Sequence, residues 1–420
     1  MNRTLHLIPI LLLLTSCAVA QTPTSTERGV YPDRMARIDA AINREISAGK
    51  IPGAVALVAR NGEVVYHKAF GNADIRTRTP MTTDSIFRIA SMTKAITTVG
   101  VMILYEHGYF RLNDPIGNYL PEFRNMQVVS EYTAEGLIAA TAPAQTPIRI
   151  IDLLTHTSGL AYPFIPSPLQ QRYHDADIID GVTARNLKLA DQMALLAQQP
   201  LLFEPGSRFN YGLSTDVLGY LIEVISGQSL NDFFAEHITG PLGMPDTHFY
   251  LPDDKAGRLV SIYANDPERG LLEASEIASD LPIDDVNYPI FGARSYYSGG
   301  AGLSSTARDY GRFLQMLLNE GELDGVRVLS RKSVELMRTP RIDTGGDGIA
   351  DQSIAFTVVT DPGALGELGT TGAYAWGGAF YTTYLIDPKE QMLAVFMSQG
   401  RPIDSTIDQR FGTLVYQSLQ

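Results

Sequence analysis

Among the side chains able to do covalent chemistry, one arrangement stands apart: Ser91-Met92-Thr93-Lys94, set in Ile89-Ala90-Ser91-Met92-Thr93-Lys94-Ala95. On a helix that starts here, residues at i and i+3 share a face, so the serine hydroxyl and the lysine amine meet. A serine in the first turn feels the positive end of the helix dipole, which favours alkoxide character and any oxyanion beside it. A lysine between apolar neighbours such as Ala95 and Ile96 is partly desolvated, which favours the neutral amine as a base. The tetrapeptide alone is a weak signal, because S-x-x-K also arises by chance on helix surfaces. Competing machinery is missing from the sequence: there is no G-x-S-x-G elbow, no H-E-x-x-H, no P-loop and no well-placed G-x-G-x-x-G. The acidic groups Asp343, Asp347, Asp351 and Asp175, Asp177, Asp180 miss the spacing of a calcium loop and read as solvated loop charges.

Further segments bear on the tetrapeptide. Phe209-Asn210-Tyr211-Gly212-Leu213-Ser214 precedes a strongly patterned helix, and Tyr374-Ala375-Trp376-Gly377-Gly378 reads as a strand near the C-terminus. Leu153-Leu154-Thr155-His156-Thr157-Ser158-Gly159-Leu160 lies before the first of these, and Pro241-Leu242-Gly243-Met244 and Gly299-Gly300-Ala301-Gly302-Leu303 lie between the two. This order resembles the serine β-lactamase and penicillin-binding-protein superfamily. Within it, the chain looks like the class C-like branch that includes the family VIII carboxylesterases, from about residue 34 onward.

The resemblance implies roles. Ser91 matches the acylated nucleophile, Lys94 its proton partner, and Tyr211 the tyrosine of a Y-x-N motif that acts as general base and proton shuttle. Trp376-Gly377-Gly378 stands where the family's third motif, K-T-G, would lie, so the backbone N–H groups of Ser91 and Ala379 are the expected oxyanion hole. Two departures matter. Leu213 holds the place of the asparagine, and Trp376 that of the lysine that helps bind a β-lactam carboxylate. Neither can make those polar contacts, and an unpaired polar group costs more than a missing methylene. The expectation is a serine hydrolase acting through an acyl-enzyme, a carboxylesterase on short-chain or neutral esters. The alternatives are a β-lactamase or D,D-peptidase, and a non-catalytic binding protein on the same fold. The resemblance implies no metal and no organic cofactor. It makes His156 part of a structural loop rather than of the site. Tyr288, Phe291, Tyr296 and Tyr297 either line an apolar acyl or alcohol pocket or are ordinary core and surface aromatics.

Composition agrees with a soluble enzyme. The chain has 420 residues, 45% hydrophobic and 19% charged, which gives ample core and excludes a disordered chain. Net charge of −13 repels phosphate backbones and anionic lipid, so no nucleic-acid partner is expected. Its single cysteine, Cys17, excludes an intramolecular disulfide and any cysteine-based metal site. Residues 1–20 read as an export signal: Arg3, an apolar run from Leu5 to Leu14, then Ala18-Val19-Ala20 before Gln21. Leu14-Thr15-Ser16-Cys17 also resembles a bacterial lipobox, which would acylate Cys17 and make it the only link to a membrane. Both readings place the enzyme outside the cytoplasm, periplasmic or secreted. Nothing in the sequence sets its oligomeric state.

The elements that would position these residues follow from periodicity. A polar tether, 21–31, leads into a helix at Pro32–Lys50 with Met35, Ile38, Ile42 and Ile46 on one face. An Asn61-Gly62 turn joins strands at Ala54–Ala59 and Val64–Phe70, the strongest short-range hairpin signal. Helices are expected at Ser91–Glu106, Thr215–Ser226 and Ala307–Asn319. Strands are expected at Ile354–Thr360, Gly372–Trp376, Ala379–Ile386 and Met392–Met397, before a last amphipathic helix carrying Ile407, Phe411, Leu414 and Val415. The stretch from about 115 to 290 reads as helix and loop. The expected fold is α+β: an antiparallel sheet from about 32–80 and 300–420, flanked by helices, with a mainly helical subdomain at about 90–290 inserted. The site would lie in the groove between them.

Overall fold

The computed structural model describes residues 29–276, 288–346 and 351–420. The export segment, most of the tether and Asp347 lie outside the described residues.

The chain enters through helix α1, Pro32–Ser47, whose buried face is Met35, Ile38, Ala41 and Ile42. Strand β1, Gly53–Arg60, and strand β2, Glu63–Asp74, form the expected hairpin, and both turn residues take left-handed φ, Asn61 at 52° and Gly62 at 79°. That handedness matches the twist of the flanking strands. A short strand β3, Thr79–Pro80, pairs with β2.

The sheet is completed from the far end of the chain: β4 Thr357–Val358, β5 Tyr374–Gly378, β6 Thr382–Asp387 and β7 Met392–Met397. The order is β4-β5-β6-β7-β1-β2-β3, and every pair is antiparallel. β1 is therefore central, with Val55 opposite Met397 and Leu57 opposite Val395. Its side chains feed two cores. Ala54, Ala56 and Val58 pack with α1 and with helix α5, Ile407–Tyr416. Val55, Leu57 and Ala59 face the larger core, which contains Phe313, Leu314 and Leu317 of helix α4, Ala307–Leu318. A strand covered on both faces has no reason to alternate, and β1 is buried from Gly53 to Ala59.

The larger core continues into the helical side. Helix α2, Thr93–Glu106, is buried from Thr93 to Leu104, so it is apolar almost all round. Helix α3, Ser214–Ser226, packs across it and ends on Gly227 at φ 70°, a left-handed C-cap.

Four expectations are corrected. The helix bearing the tetrapeptide does not begin at Ser91: residues Ala90–Met92 form a 3₁₀ turn, and α-helical bonding starts at Thr93. The stretch 115–290 contains two hairpins, Gln127–Tyr132 with Ile138–Pro143 and Tyr263–Asp266 with Gly270–Glu273. They were invisible as strands because one residue at most in each of the first pair is buried, leaving no apolar alternation to read. The run Ile354–Thr360 contributes only Thr357–Val358, and the run from Ala379 becomes strand only at Thr382, after a turn in which Tyr381 sits at φ 69°.

Candidate active site

Ser91 sits at the junction of the two halves. The segment before it is tied to the sheet: Gln399, just past β7, accepts from Arg88 N–H at 2.8 Å and donates back to the Arg88 carbonyl at 3.3 Å. The turn itself is held by Ile89 N–H donating to Leu303 O (3.0 Å) and by Tyr310 OH donating to Met92 O (2.9 Å). Ala90, the residue before Ser91, is left-handed at φ 40°, a strained conformation for a residue with a Cβ. This fixes the direction of the Ser91 side chain.

Two groups donate to Ser91 Oγ: Tyr211 OH at 2.8 Å and Lys94 Nζ at 3.2 Å. Lys94 is only 5% exposed, and its ammonium-bearing carbon chain runs inside the core. Its Nζ also donates to Tyr162 OH at 2.9 Å and to Gly300 O at 2.8 Å, so all its hydrogen-bonding positions are used. Gly300 O is kept in place by α2, since Thr97 Oγ1 donates to the adjacent Gly299 O at 2.6 Å. Burial, reinforced by neighbouring Tyr211 and Asp216, keeps the Tyr162 hydroxyl protonated far above its ordinary range. A phenol can accept from an ammonium or donate to an amine, so Lys94 can change protonation state without losing this partner.

Tyr211 reaches the site from the loop preceding α3. Asn210 anchors that loop, its N–H on His156 O (2.8 Å) and its Nδ2 on Leu160 O (2.8 Å). Gly212 lies against the Leu160 carbonyl, where a Cβ would come within 2.4 Å. The Tyr211 ring is caged by His156, Tyr162 and Trp376, with centroids 4.8, 5.3 and 5.8 Å away. His156 is buried, and burial together with the Lys94 charge lowers its pKa to about 3. It is a neutral packing group, with no hydrogen bond to Ser91 among the described residues.

Below Lys94 lies a buried carboxyl. Asp216, in the first turn of α3, accepts from Ser298 Oγ at 2.5 Å and from Gly300 N–H at 3.3 Å. Its second oxygen has no hydrogen-bond partner among the described residues. Burial raises its pKa, against the opposing pull of Ser298 and Lys94.

The opposite wall is the end of β5. Trp376, Gly377 and Ala379 line an open groove of about 460 Å³ with Ser91, Phe164, Tyr211, Thr357 and Ala375. Gly378 lies so close to the nucleophile's turn that a Cβ there would stand 2.3 Å from Ile89 O. Ser91, Phe164 and Ala379 also line a second, enclosed cavity of about 30 Å³.

The structure thus brings together Ser91, Lys94, Tyr211, Trp376, Gly377, Gly378 and Ala379. It does not bring in Leu213, which is 1% exposed in the main core and lines neither cavity, because it faces inward where α3 begins. Nor do Tyr288, Phe291, Tyr296 and Tyr297 line either one: Tyr288 and Tyr296 are buried, and Phe291 is 62% exposed. The aromatic lining comes instead from Tyr162, Phe164 and Phe380 in the smaller cavity and from Phe164, Tyr211 and Trp376 in the groove. Sequence reading missed Tyr162, Phe164 and Asp216. Asp216 had a signal, a lone acid among Val217, Leu218, Leu221 and Ile222 on the apolar face of a helix. Among the described residues no group of acids and histidines is placed to hold a metal.

Comparison with known proteins bears on the family and the fold. The family model described as Beta-lactamase matches residues 37–415. Protein Rv1367c of Mycobacterium tuberculosis is 35% identical over 386 residues, 88% of this chain and 90% of that protein. Esterase EstB of Burkholderia gladioli is 31% identical over 365 residues, 84% of this chain and 87% of that protein. Among solved structures, EstCE1, described as a hydrolase with promiscuous acyltransferase activity, superposes with a TM-score of 0.75 at 28% identity, covering 92% of this chain and 98% of its own. The chain belongs to the β-lactamase family, in the serine β-lactamase and penicillin-binding-protein superfamily. It is a serine hydrolase related to the esterases of that family.

Proposed function

We propose that the protein is a carboxylesterase that hydrolyses short-chain esters through an acyl-enzyme on Ser91. The observation that carries this reading is the Ser91 hydroxyl held at once by Lys94 and Tyr211, in a groove whose far wall is an indole. In the first half-reaction Ser91 Oγ attacks the ester carbonyl and its proton passes into the Tyr211–Lys94 pair. The N–H groups of Ser91 and Ala379 receive the oxyanion, at roughly 3 kcal/mol per donor. Tyr211, which lines the open groove, returns a proton to the departing alcohol. Water then enters the groove and releases the acid by the reverse path. The relatives named as esterases support the ester as substrate class, and so does Trp376 in place of a cation that would pair with a β-lactam carboxylate.

A fluorophosphonate probe tests the nucleophile: it labels the wild type stoichiometrically and leaves Ser91→Ala unlabelled. An active Ser91→Ala enzyme would overturn the assignment. In the wild type, kcat/KM for p-nitrophenyl butyrate exceeds that for nitrocefin by a hundredfold or so, if one unpaired carboxylate costs ~3 kcal/mol in the transition state. Equal or faster nitrocefin turnover would promote the β-lactamase reading instead. We further propose that the enzyme is exported. Mass spectrometry of the secreted or periplasmic protein decides the mature N-terminus, Gln21 for signal cleavage or an acylated Cys17.

A further inference from the structure

The two cavities that meet at Ser91 differ in chemistry. The open groove holds Tyr211 and Trp376; the enclosed cavity holds neither. It holds instead Arg401, which follows β7, and Asp180 from the helical side. Because the departing alcohol takes its proton from Tyr211, the alcohol must lie in the open groove and the acyl substituent on the enclosed side. This step rests on the esterase reading above.

Arg401 is held by its neighbours in a defined pose. Its backbone N–H donates to Tyr263 O at 2.8 Å, and its guanidinium carbon stands 4.9 Å from the ring centre of Phe164, a cavity wall. Stacking on an aromatic face fixes the plane of the guanidinium and leaves its edge donors available. Among the described residues that guanidinium makes no hydrogen bond and no ion pair; Asp180 acts on it only through its longer-range charge. Half-buried cations with unused donors are costly, and such a group gains most from an incoming carboxylate that accepts two hydrogen bonds at once. The cavity of about 30 Å³ is small, so it suits a short acyl chain, and Arg401 is one of the residues that line it.

The geometry points to Arg401 as the anchor for a carboxylate on the acyl side of the substrate, making the preferred substrates half-esters of short dicarboxylic acids. This narrows the expectation of neutral esters: the carboxylate that Trp376 cannot hold on one side of Ser91 is held on the other. Atom balance is that of ester hydrolysis. The Ser91 Oγ–acyl bond forms as the ester C–O bond breaks and the alcohol leaves with a proton from Tyr211; water then releases the dicarboxylate.

The test compares monomethyl succinate with methyl butyrate by pH-stat in the wild type, Arg401→Gln and Arg401→Lys. The ratio of kcat/KM values favours the half-ester at least tenfold in the wild type, falls at least tenfold in Arg401→Gln, and is partly kept by Arg401→Lys. A wild-type ratio of one or less, or a ratio unchanged in Arg401→Gln, overturns the assignment. Competitive inhibition of the wild type by succinate against butyrate reads the same contact without any variant: succinate should bind at least tenfold tighter, and equal inhibition counts against Arg401. A second arm is independent of turnover. Trp376 is the chain's only tryptophan, so its fluorescence reports ligand binding at the groove in Ser91→Ala. Monomethyl succinate should bind Ser91→Ala at least tenfold more tightly than Ser91→Ala/Arg401→Gln, and equal affinities refute the anchor. If the wild type hydrolysed no ester at all, the esterase reading would fail while this titration still decided Arg401.

Discussion

Lys94 holds three oxygens at once, so its loss and the loss of Tyr211 act differently on the same nucleophile. Lys94→Ala leaves Tyr162 OH and Gly300 O facing a cavity and removes a donor from Ser91. Tyr211→Phe keeps the caged ring but removes the hydroxyl 2.8 Å from Ser91 Oγ. Each should lower kcat by roughly 10²–10⁴, the scale of lost acid–base assistance. Near wild-type rates for Tyr211→Phe on several esters would remove it as the shuttle. Asp216 gives the contrary expectation. Burial raises its pKa, and among the described residues no hydrogen bond joins it to Lys94 or Ser91, so the nearly isosteric Asp216→Asn should cost less than about tenfold in kcat. A fall as deep as that of Lys94→Ala would instead show Asp216 to be the charged partner of the lysine. This division also marks what was legible. Ser91 and Lys94 lie in one short motif that sequence spacing can reveal, and Tyr211 followed from the family resemblance. Tyr162 and Asp216 act through contacts 68 residues from Lys94 and 82 residues from Ser298, and in sequence they look like core and helix residues.

Two elements set the site's rigidity. The end of β5 leans on the turn of Ser91, and Gly378 has no room for a side chain: a Cβ would meet Ile89 O at 2.3 Å and Thr382 Oγ1 at 2.4 Å. Gly378→Ala should therefore push the strand end and the turn apart and reduce kcat by at least tenfold. A rate within threefold of the wild type would show that the approach is not needed. At the start of α4, Thr306 caps the helix, and Asp309 accepts from Asp246 N–H (2.7 Å) and Thr247 Oγ1 (3.1 Å). Burial lifts the Asp309 carboxyl from 3.8 to about 6. Below pH 4 it is protonated folded or unfolded and has no net effect. As pH rises from 4 to 6 the unfolded chain releases its proton first, so stability falls, by at most about 3 kcal/mol, and then levels off. Asp246 works in the opposite sense: the Arg258 and Lys255 charges hold it at about 2, and its contribution is lost only as pH falls below 4. Denaturant midpoints between pH 4 and 7 should show a decline that is smaller in Asp309→Asn than in the wild type, and an equal decline in both would remove Asp309 as its source. Helices and the β1–β2 hairpin were readable because their apolar periodicity or turn chemistry is local. The hairpin at residues 127–143 was not, since its side chains are mostly exposed.

At the scale of the whole molecule the two chain ends are joined. β1 pairs with β7 across a separation of some 340 residues, and α1 packs against α5. The seam is sewn again outside the sheet: Tyr31 N–H donates to Ser418 O at 2.8 Å, Gln420 N–H to Gly29 O at 3.2 Å, and Arg34 Nη1 to Gln417 O at 3.0 Å. The antiparallel sheet therefore cannot close until the last fifth of the chain is present, which is why the site's third wall, Trp376 to Ala379, depends on residues it never touches. Sequence periodicity revealed strands at both ends with helices between, and that order already pointed to one sheet built from both termini. The expectation is asymmetric. A protein starting at residue 29 keeps every bond named here. A chain ending at Arg410 loses Phe411, Val415 and all three seam bonds, and exposes the face of Phe396 and Ala394 that α5 covers. Removing two buried side chains of that size costs several kcal/mol, comparable to a domain's whole stability. That shortened chain should be insoluble or lack a cooperative melt by circular dichroism. A soluble, cooperatively melting protein lacking residues 411–420 would show that the C-terminal helix decorates the sheet without holding it shut.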